Sequence, residues 1–167
     1  MRSRNFDGMV CSIASVMGAM GDRWGLLVMR DILFGLRRYD EFQQSSGVTN
    51  TTLADRLKTL ESNGLIKRRL YQSRPARYEY LPTERGRDLT LVMQALIQVG
   101  DKWSVMDGEG APMNLVNRHT GQPTSLSRVE TESGASVKVE DLVAVPGPGA
   151  DDTMRWRLET AGARRRS

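Results

Sequence analysis

The stretch from Thr49 to Tyr80 constrains the fold most, because its apolar spacing changes there from a helical period to a strand period. Leu53, Leu57 and Leu60 lie at i, i+4 and i+7, so they share one face of a helix from Asn50 to about Asn63. Thr49 is placed to cap its start, and Asn63-Gly64 to end it. From Ile66 to Tyr71 the pattern alternates apolar and basic, and Tyr78 and Tyr80 alternate with Arg77 and Glu79. Two such runs around a loop at Gln72–Ala76, which contains Pro75, read as a β-hairpin.

The flanking segments supply the rest of a core. Val10, Ile13, Ala14, Met17 and Met20 recur at helical spacing before Gly21. Asp22 can cap a second helix, Arg23 to Phe34, that is apolar almost all round and ends at Gly35. A short third helix, about Arg38 to Ser45, offers Tyr39 and Phe42 inward, and Ser46-Gly47 is a turn. After the hairpin, Thr83 opens a single long helix to about Trp103. Three helices, a fourth exposed helix, a hairpin and a closing helix make an α+β, winged helix-turn-helix arrangement over residues 1–104.

Beyond Asp107-Gly108 the character changes. Residues 114–120, 124–132 and 135–145 look like short strands, and Met154–Leu158 like one more, so residues 105–160 are expected to form a β-rich extension. Residues 161–167 are expected to be a frayed basic tail. No internal repeat is evident.

Composition narrows the partners. No run approaches the roughly 18 apolar residues of a membrane helix, and the start of the chain, with Arg2, Arg4, Asn5 and Asp7, makes a poor secretory signal. The lone Cys11 excludes an intrachain disulfide or a multi-cysteine zinc site and fits a reducing cytoplasm. Residues 1–104 hold 16 Lys/Arg against 11 Asp/Glu, whereas residues 105–167 hold 8 against 9. Seven of the basic residues fall between Arg56 and Arg77, with only Glu61 as an acid among them. So local a concentration is what a phosphate-binding surface requires, although a merely solvated basic face has the same composition.

If the leucines face inward, a 100° step per residue turns Thr51, Asp55, Lys58 and Ser62 outward, flanked by Thr52, Arg56 and Thr59. A helix-turn-helix offers the start of this helix to the major groove. Thr49, Asn50, Thr51 and Thr52 are short and polar enough to reach base edges or phosphates. Asp55 is awkward there unless Arg56, Thr59 or a cytosine amino group engages it. Arg68 and Arg69 lie on the first strand, while Arg74 and Arg77 bracket the stiff Pro75 and can enter a minor groove or clamp phosphates. Arg38, with Arg37 before it, can bind the backbone at the start of the third helix.

The ordered blocks also carry a resemblance. Cys11 to Gly21 followed by Asp22-Arg23-Trp24-Gly25-Leu26-Leu27 resembles the opening "CPxxxxxxxxGGKWxxLIL" of HxlR-type regulators. Arg30 to Phe42 is similar to "RxLxxGPxRFxEL", Leu53 to Ile66 to "LSxRLxxLExxGLI", and Arg77-Tyr78-Glu79-Tyr80 with Thr83 and Gly86 to "RVEYxLTxxG". Ser12 replaces the usual proline, and Leu81-Pro82 replaces a polar-leucine pair, so the first helix and the second wing strand are where this chain departs. The resemblance, over about residues 10–103, implies a cytoplasmic transcriptional repressor acting as a homodimer through its first and last winged-domain helices on a pseudo-palindromic double-stranded DNA operator. It further implies that Cys11 sits where relatives carry a redox-sensing thiol. A small inert core cysteine is the other reading of that residue.

The lone His119 has no Cys, Asp or Glu cluster around it in the sequence, and no phosphate loop or nucleophile elbow is present. No enzyme activity, metal or cofactor is therefore expected. The extension remains open: it could bind a small-molecule effector, brace the dimer or recruit a partner. An architectural DNA binder and a winged-helix protein-interaction module are the competing readings.

Overall fold

In a computed structural model, residues 6, 8–106, 108 and 110–165 are described. They form two compact units, residues 19–126 and residues 1–18 with 127–167.

The first unit is built around α2 (Arg23–Phe34), α3 (Tyr39–Ser46) and α4 (Asn50–Ser62). Asp22 caps α2 by accepting from Trp24 N and Gly25 N, each at 3.0 Å, and Gly35 closes it at φ 108°. Val28, Met29 and Ile32 are buried on α2, as are Leu53, Leu57 and Leu60 on α4, against which α2 packs. The turn into α2 leaves no room at Gly25, where an added Cβ would lie 1.9 Å from the carbonyl oxygen of Met20. Met20 ends α1 (Ser12–Met20). Phe34 is more exposed than the apolar sequence of α2 suggests.

The hairpin follows: β1 (Ile66–Ser73) pairs antiparallel with β2 (Ala76–Pro82), Ile66 opposite Pro82 and Ser73 opposite Ala76. The expected five-residue loop is only two residues long, Arg74 and Pro75, because pairing continues almost to the tip past an irregularity at Tyr71. β2 continues through Leu81 and Pro82. Tyr80 N donates to Arg37 O (2.8 Å), and Arg38 bridges Glu79, so the segment before α3 adds a rung to the outer side of β2. Glu41 Oε2 fixes that segment by accepting from Arg37 N (2.7 Å) and Arg38 N (2.9 Å). Those two amides hold its carboxyl below the usual carboxylate range.

The helix after the hairpin is divided: α5 (Glu84–Asp88) and α6 (Thr90–Met106) meet at buried Leu89. Thr83 caps α5, accepting from Gly86 N (3.1 Å), and its hydroxyl lies 2.6 Å from Gly64 O. Still in this unit, Thr124 N donates to Leu115 O (2.8 Å), and this turn is clasped to α6 by Gln98. The Gln98 side chain donates to Leu126 O (3.0 Å) and accepts from Leu126 N (2.8 Å).

The expected β-rich extension is corrected by the structure. Among the described residues from 110 to 151 there are no strands, just isolated bridges, Val116–Pro123 and Val129–Ser136, and a 3-10 turn at Val139–Asp141. The proposed last strand and most of the frayed tail are one helix, α7 (Asp152–Arg165). The alternating valines lack a partner strand, and Asp151 Oδ1 accepts from Met154 N (2.7 Å) to start a helix instead. Residues 166 and 167 of the expected tail lie outside the described residues. There is also a repeat that the sequence hides. The bonds Thr124 N to Leu115 O and Gly121 N to Asn117 O recur thirteen residues later as Val137 N to Arg128 O and Gly134 N to Glu130 O. Each turn passes through a left-handed glycine, Gly121 at φ 70° and Gly134 at φ 69°.

Candidate nucleic-acid interface

The outer face of α4 begins at its cap. Thr49 accepts from Thr52 N (3.3 Å), and the two hydroxyls lie 3.0 Å apart, so the first turn is closed by its own side chains. Asn50 and Thr51 are exposed, Thr52 half-buried. The Tyr39 hydroxyl donates to Asn50 O at 2.8 Å, tying α3 to the first residue of α4. Further along, Asp55 and Lys58 are exposed and Thr59 is half-buried. Thr59 Oγ1 donates to the Asp55 backbone carbonyl (2.9 Å), not to its carboxylate.

The basic residues divide sharply by partner. Arg56 turns to the side of α4, its Nε 3.1 Å from Asp22 Oδ1. Arg68 Nε is 3.4 Å from Glu61 Oε1, and its guanidinium lies 5.1 Å from the Tyr78 ring centre. Arg69 is held by Glu79 across the hairpin at 2.7 Å. Arg38 lies 4.8 Å from the Tyr71 ring centre. By contrast, Lys58, Arg74 and Arg77 are exposed, and among the described residues none of them forms an ion pair. The structure thus gathers Arg74 and Arg77 at the hairpin tip, with Gln72 Nε2 bracing the turn through Arg74 O (3.0 Å). Arg56, Arg68 and Arg69 are neutralised locally.

Sequence reasoning overlooked the aromatic surround. Tyr71, Tyr78 and Tyr80 look like ordinary strand residues, yet they line one groove with Arg38 and Arg77. Tyr80 packs edge-on against buried Phe42, ring centres 6.0 Å apart. Burial pushes its phenol pKa up, with smaller contributions from neighbouring charges. The period-2 spacing of Tyr78 and Tyr80 was the available signal.

In the other unit, Cys11 immediately precedes α1 and is neither buried nor in the core. Its thiol is drawn below the usual range chiefly by a hydrogen bond with the Ala14 backbone, with lesser help from Ile13 and the Arg157 charge against a small desolvation penalty. Exposed His119 belongs to a turn, its backbone N–H donating to Asn117 Oδ1 (2.8 Å). Among the described residues no cluster of His, Cys, Asp and Glu could hold a metal ion, and no helix is long and apolar enough to cross a membrane.

A helix capped by Thr49, leading into a hairpin tipped by Arg74, is matched between residues 19 and 107 by the family model for HxlR-like helix-turn-helix proteins. The chain belongs to this family. Among relatives, the HTH-type transcriptional regulator Rv3095 of Mycobacterium tuberculosis H37Rv is 34% identical over 147 residues, 88% of this chain and 91% of Rv3095. The HTH-type regulator sll1512 of Synechocystis is 34% identical over 112 residues, 62% of this chain and 83% of sll1512. Among solved structures, a candidate transcription factor from Pseudomonas aeruginosa, PA1374, is 37% identical with a TM-score of 0.61. That match covers 89% of this chain and all of PA1374. The candidate transcription factor PA1607 is 30% identical with a TM-score of 0.68, covering 85% of this chain and 99% of PA1607. The likeness to Rv3095 and PA1374 runs past residue 107, so their chains share sequence with the extension as well as with the helix-turn-helix. This HxlR-family chain is therefore a DNA-binding transcriptional regulator with a winged-helix fold.

Proposed function

We propose that this regulator is a homodimeric repressor, acting in the cytoplasm, whose α4 enters the major groove of a pseudo-palindromic operator while Arg74 and Arg77 contact the minor groove or phosphates. The observation that carries the reading is the sorting of charge. Among the described residues Lys58 on the outer helix face and Arg74 and Arg77 at the hairpin tip form no ion pair, and neither does Lys67, whereas the arginines between them, Arg56, Arg68 and Arg69, are each paired. Free cations release counterions when they meet phosphates, whereas a paired arginine first has to give up its carboxylate. Thr49, Asn50, Thr51 and Thr52 are the base-edge candidates, with Asp55, Lys58 and Thr59 on the same helix. Arg38 reaches the backbone from the start of α3. Arg56, Arg68 and Arg69, counted with these from the sequence, serve better as struts that orient α4 and the wing.

Dimerisation is supported by the apolar surface of α6, where Leu91, Leu96, Val99 and Trp103 are all exposed, and by exposed Ile13 and Met17 on α1. A two-fold axis would set the two α4 helices about 34 Å apart, one turn of DNA. Cys11 supports a redox input: its thiol is accessible and its thiolate favoured.

Selecting bound fragments from genomic DNA, followed by competition with unrelated DNA at about 150 mM salt, tests the core of this reading. A shared, inverted-repeat motif surviving competition by 10³-fold or more is expected. Binding without a motif would mark an architectural protein instead, and absence of binding would mark a protein-interaction module.

A further inference from the structure

The groove beside the wing carries three hairpin tyrosines that the DNA contacts proposed above leave unused. It is an open groove of about 470 Å³ between the start of α3 and the hairpin, of a volume in the roughly 300–1,000 Å³ range of small-ligand sites. Tyr71, Tyr78 and Tyr80 give it flat aromatic walls, and Arg38 and Arg77 bring two guanidiniums to the same space. Neither arginine is in an ion pair among the described residues. Arg38 is held at the Tyr71 ring, 4.8 Å from its centre, so charge and aromatic wall are presented together. Asp40 also lines the groove. A carboxylate there repels a run of phosphates, yet leaves a single anion attractive so long as it sits toward the arginines. Burial pushes the Tyr80 phenol pKa up from its ordinary value.

We propose that this groove binds a planar aromatic monocarboxylate and that its occupation opposes DNA binding. The ring lies among the tyrosines and the carboxylate meets Arg38 and Arg77. Two cations are thereby withdrawn from the DNA surface. The groove is linked to α4 through Tyr39, which lines it and donates its hydroxyl to Asn50 O at 2.8 Å. The second clause rests on the DNA-binding reading above; the first does not. Coupling of this kind is reciprocal, so DNA must weaken the ligand by the factor by which the ligand weakens DNA.

The experiment titrates 2-naphthoate, neutral 2-naphthamide and inorganic phosphate into the isotope-labelled full chain and follows backbone amide shifts. Saturable shifts centred on residues 38–40 and 71–80 are expected for 2-naphthoate. The amide analogue and phosphate should bind at least ten-fold more weakly, and Tyr71→Ala and Arg38→Gln should each weaken 2-naphthoate about ten-fold (about 1.4 kcal/mol). Thermal midpoints of both variants, measured alongside, show that the fold persists. No saturable shift, shifts centred elsewhere, equal binding of the amide, or an unaffected Tyr71→Ala would overturn the site. Operator affinity is then measured with and without 2-naphthoate. A loss of three-fold or more is expected, and an unchanged affinity overturns the regulatory clause alone. A chain that binds no DNA in the ligand-free control overturns the function proposed above, while the amide shifts still decide the site.

Discussion

Gly86 offers the sharpest test of how the winged unit is assembled. It is buried in α5, and a Cβ built on it would stand 2.0 Å from Leu65 O, 3.0 Å from the Leu65 carbonyl carbon and 3.3 Å from Met29 Cε. Two effects oppose each other in Gly86→Ala. Helix propensity favours alanine by about 1 kcal/mol. The collision is with backbone, not the end of a flexible side chain, so α5 must retreat by roughly 1.4 Å to restore ordinary contact. That retreat strains the links to the same carbonyl, Thr83 N to Leu65 O at 3.0 Å and Thr83 Oγ1 at 3.1 Å. Losing both costs about 1 kcal/mol each, and overpacking adds about 1–3 kcal/mol. Sterics therefore win, and a net loss of roughly 2–4 kcal/mol is expected, lowering the melting temperature by roughly 5–15 °C. Urea and thermal unfolding of the variant measure this. Gly162→Ala in α7 is the control, since no heavy atom lies within 4 Å of its Cβ, and it should be neutral or slightly stabilising. A Gly86→Ala protein melting at or above the parent, with Gly162→Ala behaving as stated, would refute the claimed close approach of α5 to Leu65.

Other outcomes follow from the same geometry. Arg74→Ala with Arg77→Ala should weaken DNA binding and flatten the log-affinity versus log-salt slope by about two per protomer, whereas Arg69→Ala, whose charge Glu79 already holds, should change the slope little; titrations at several salt concentrations read both. Thr49→Ala should cost about 1 kcal/mol of unfolding free energy through the lost cap, and Thr49→Asp should recover most of it in the same denaturation assay. For Cys11, alkylation by iodoacetamide should show a pH midpoint lower in the folded chain than in denaturant, because the fold favours the thiolate; the contribution to stability is gained as pH rises through the folded midpoint and lost as it falls. Equal midpoints in the two states would remove the case for an activated thiol. Trp103→Glu should shift a dimer toward monomer in light scattering coupled to size exclusion, and an unchanged mass would argue against α6 as the interface.

The elements legible in the sequence were those whose signals are local. Asp22, Thr49 and Thr83 each cap the helix they precede, and Leu53, Leu57 and Leu60 are buried as their spacing requires. What escaped depended on partners distant in the chain. Nothing around Arg37 announces that its carbonyl will accept from Tyr80, and nothing around Leu89 marks a break, because a buried leucine suits a continuous helix equally well. The valines of residues 135–145 alternate as a strand does, but alternation becomes a strand only where a neighbour supplies the ladder. Met154, Trp156 and Leu158 alternate too, yet Asp151 and a run of good helix formers decided for α7.

The candidate site shows the same limit more instructively. Counting basic residues from Arg56 to Arg77 overstates the free charge on this surface, since charge matters only when it is unspent. Which arginine Asp22, Glu61 and Glu79 each claim emerges only on folding. Arg56 and Arg68 have side chains on or beside α4, and their ion pairs tie that helix to the start of α2 and to β1. Arg69 joins the two wing strands to each other. Removing any of the three should therefore alter the orientation of α4 or the wing more than its charge. Such a change would appear as relaxed discrimination between operator and unrelated DNA at nearly constant salt slope. An Arg68→Ala variant whose specificity held while its slope fell by one would reverse that assignment and return Arg68 to the phosphate-contacting set.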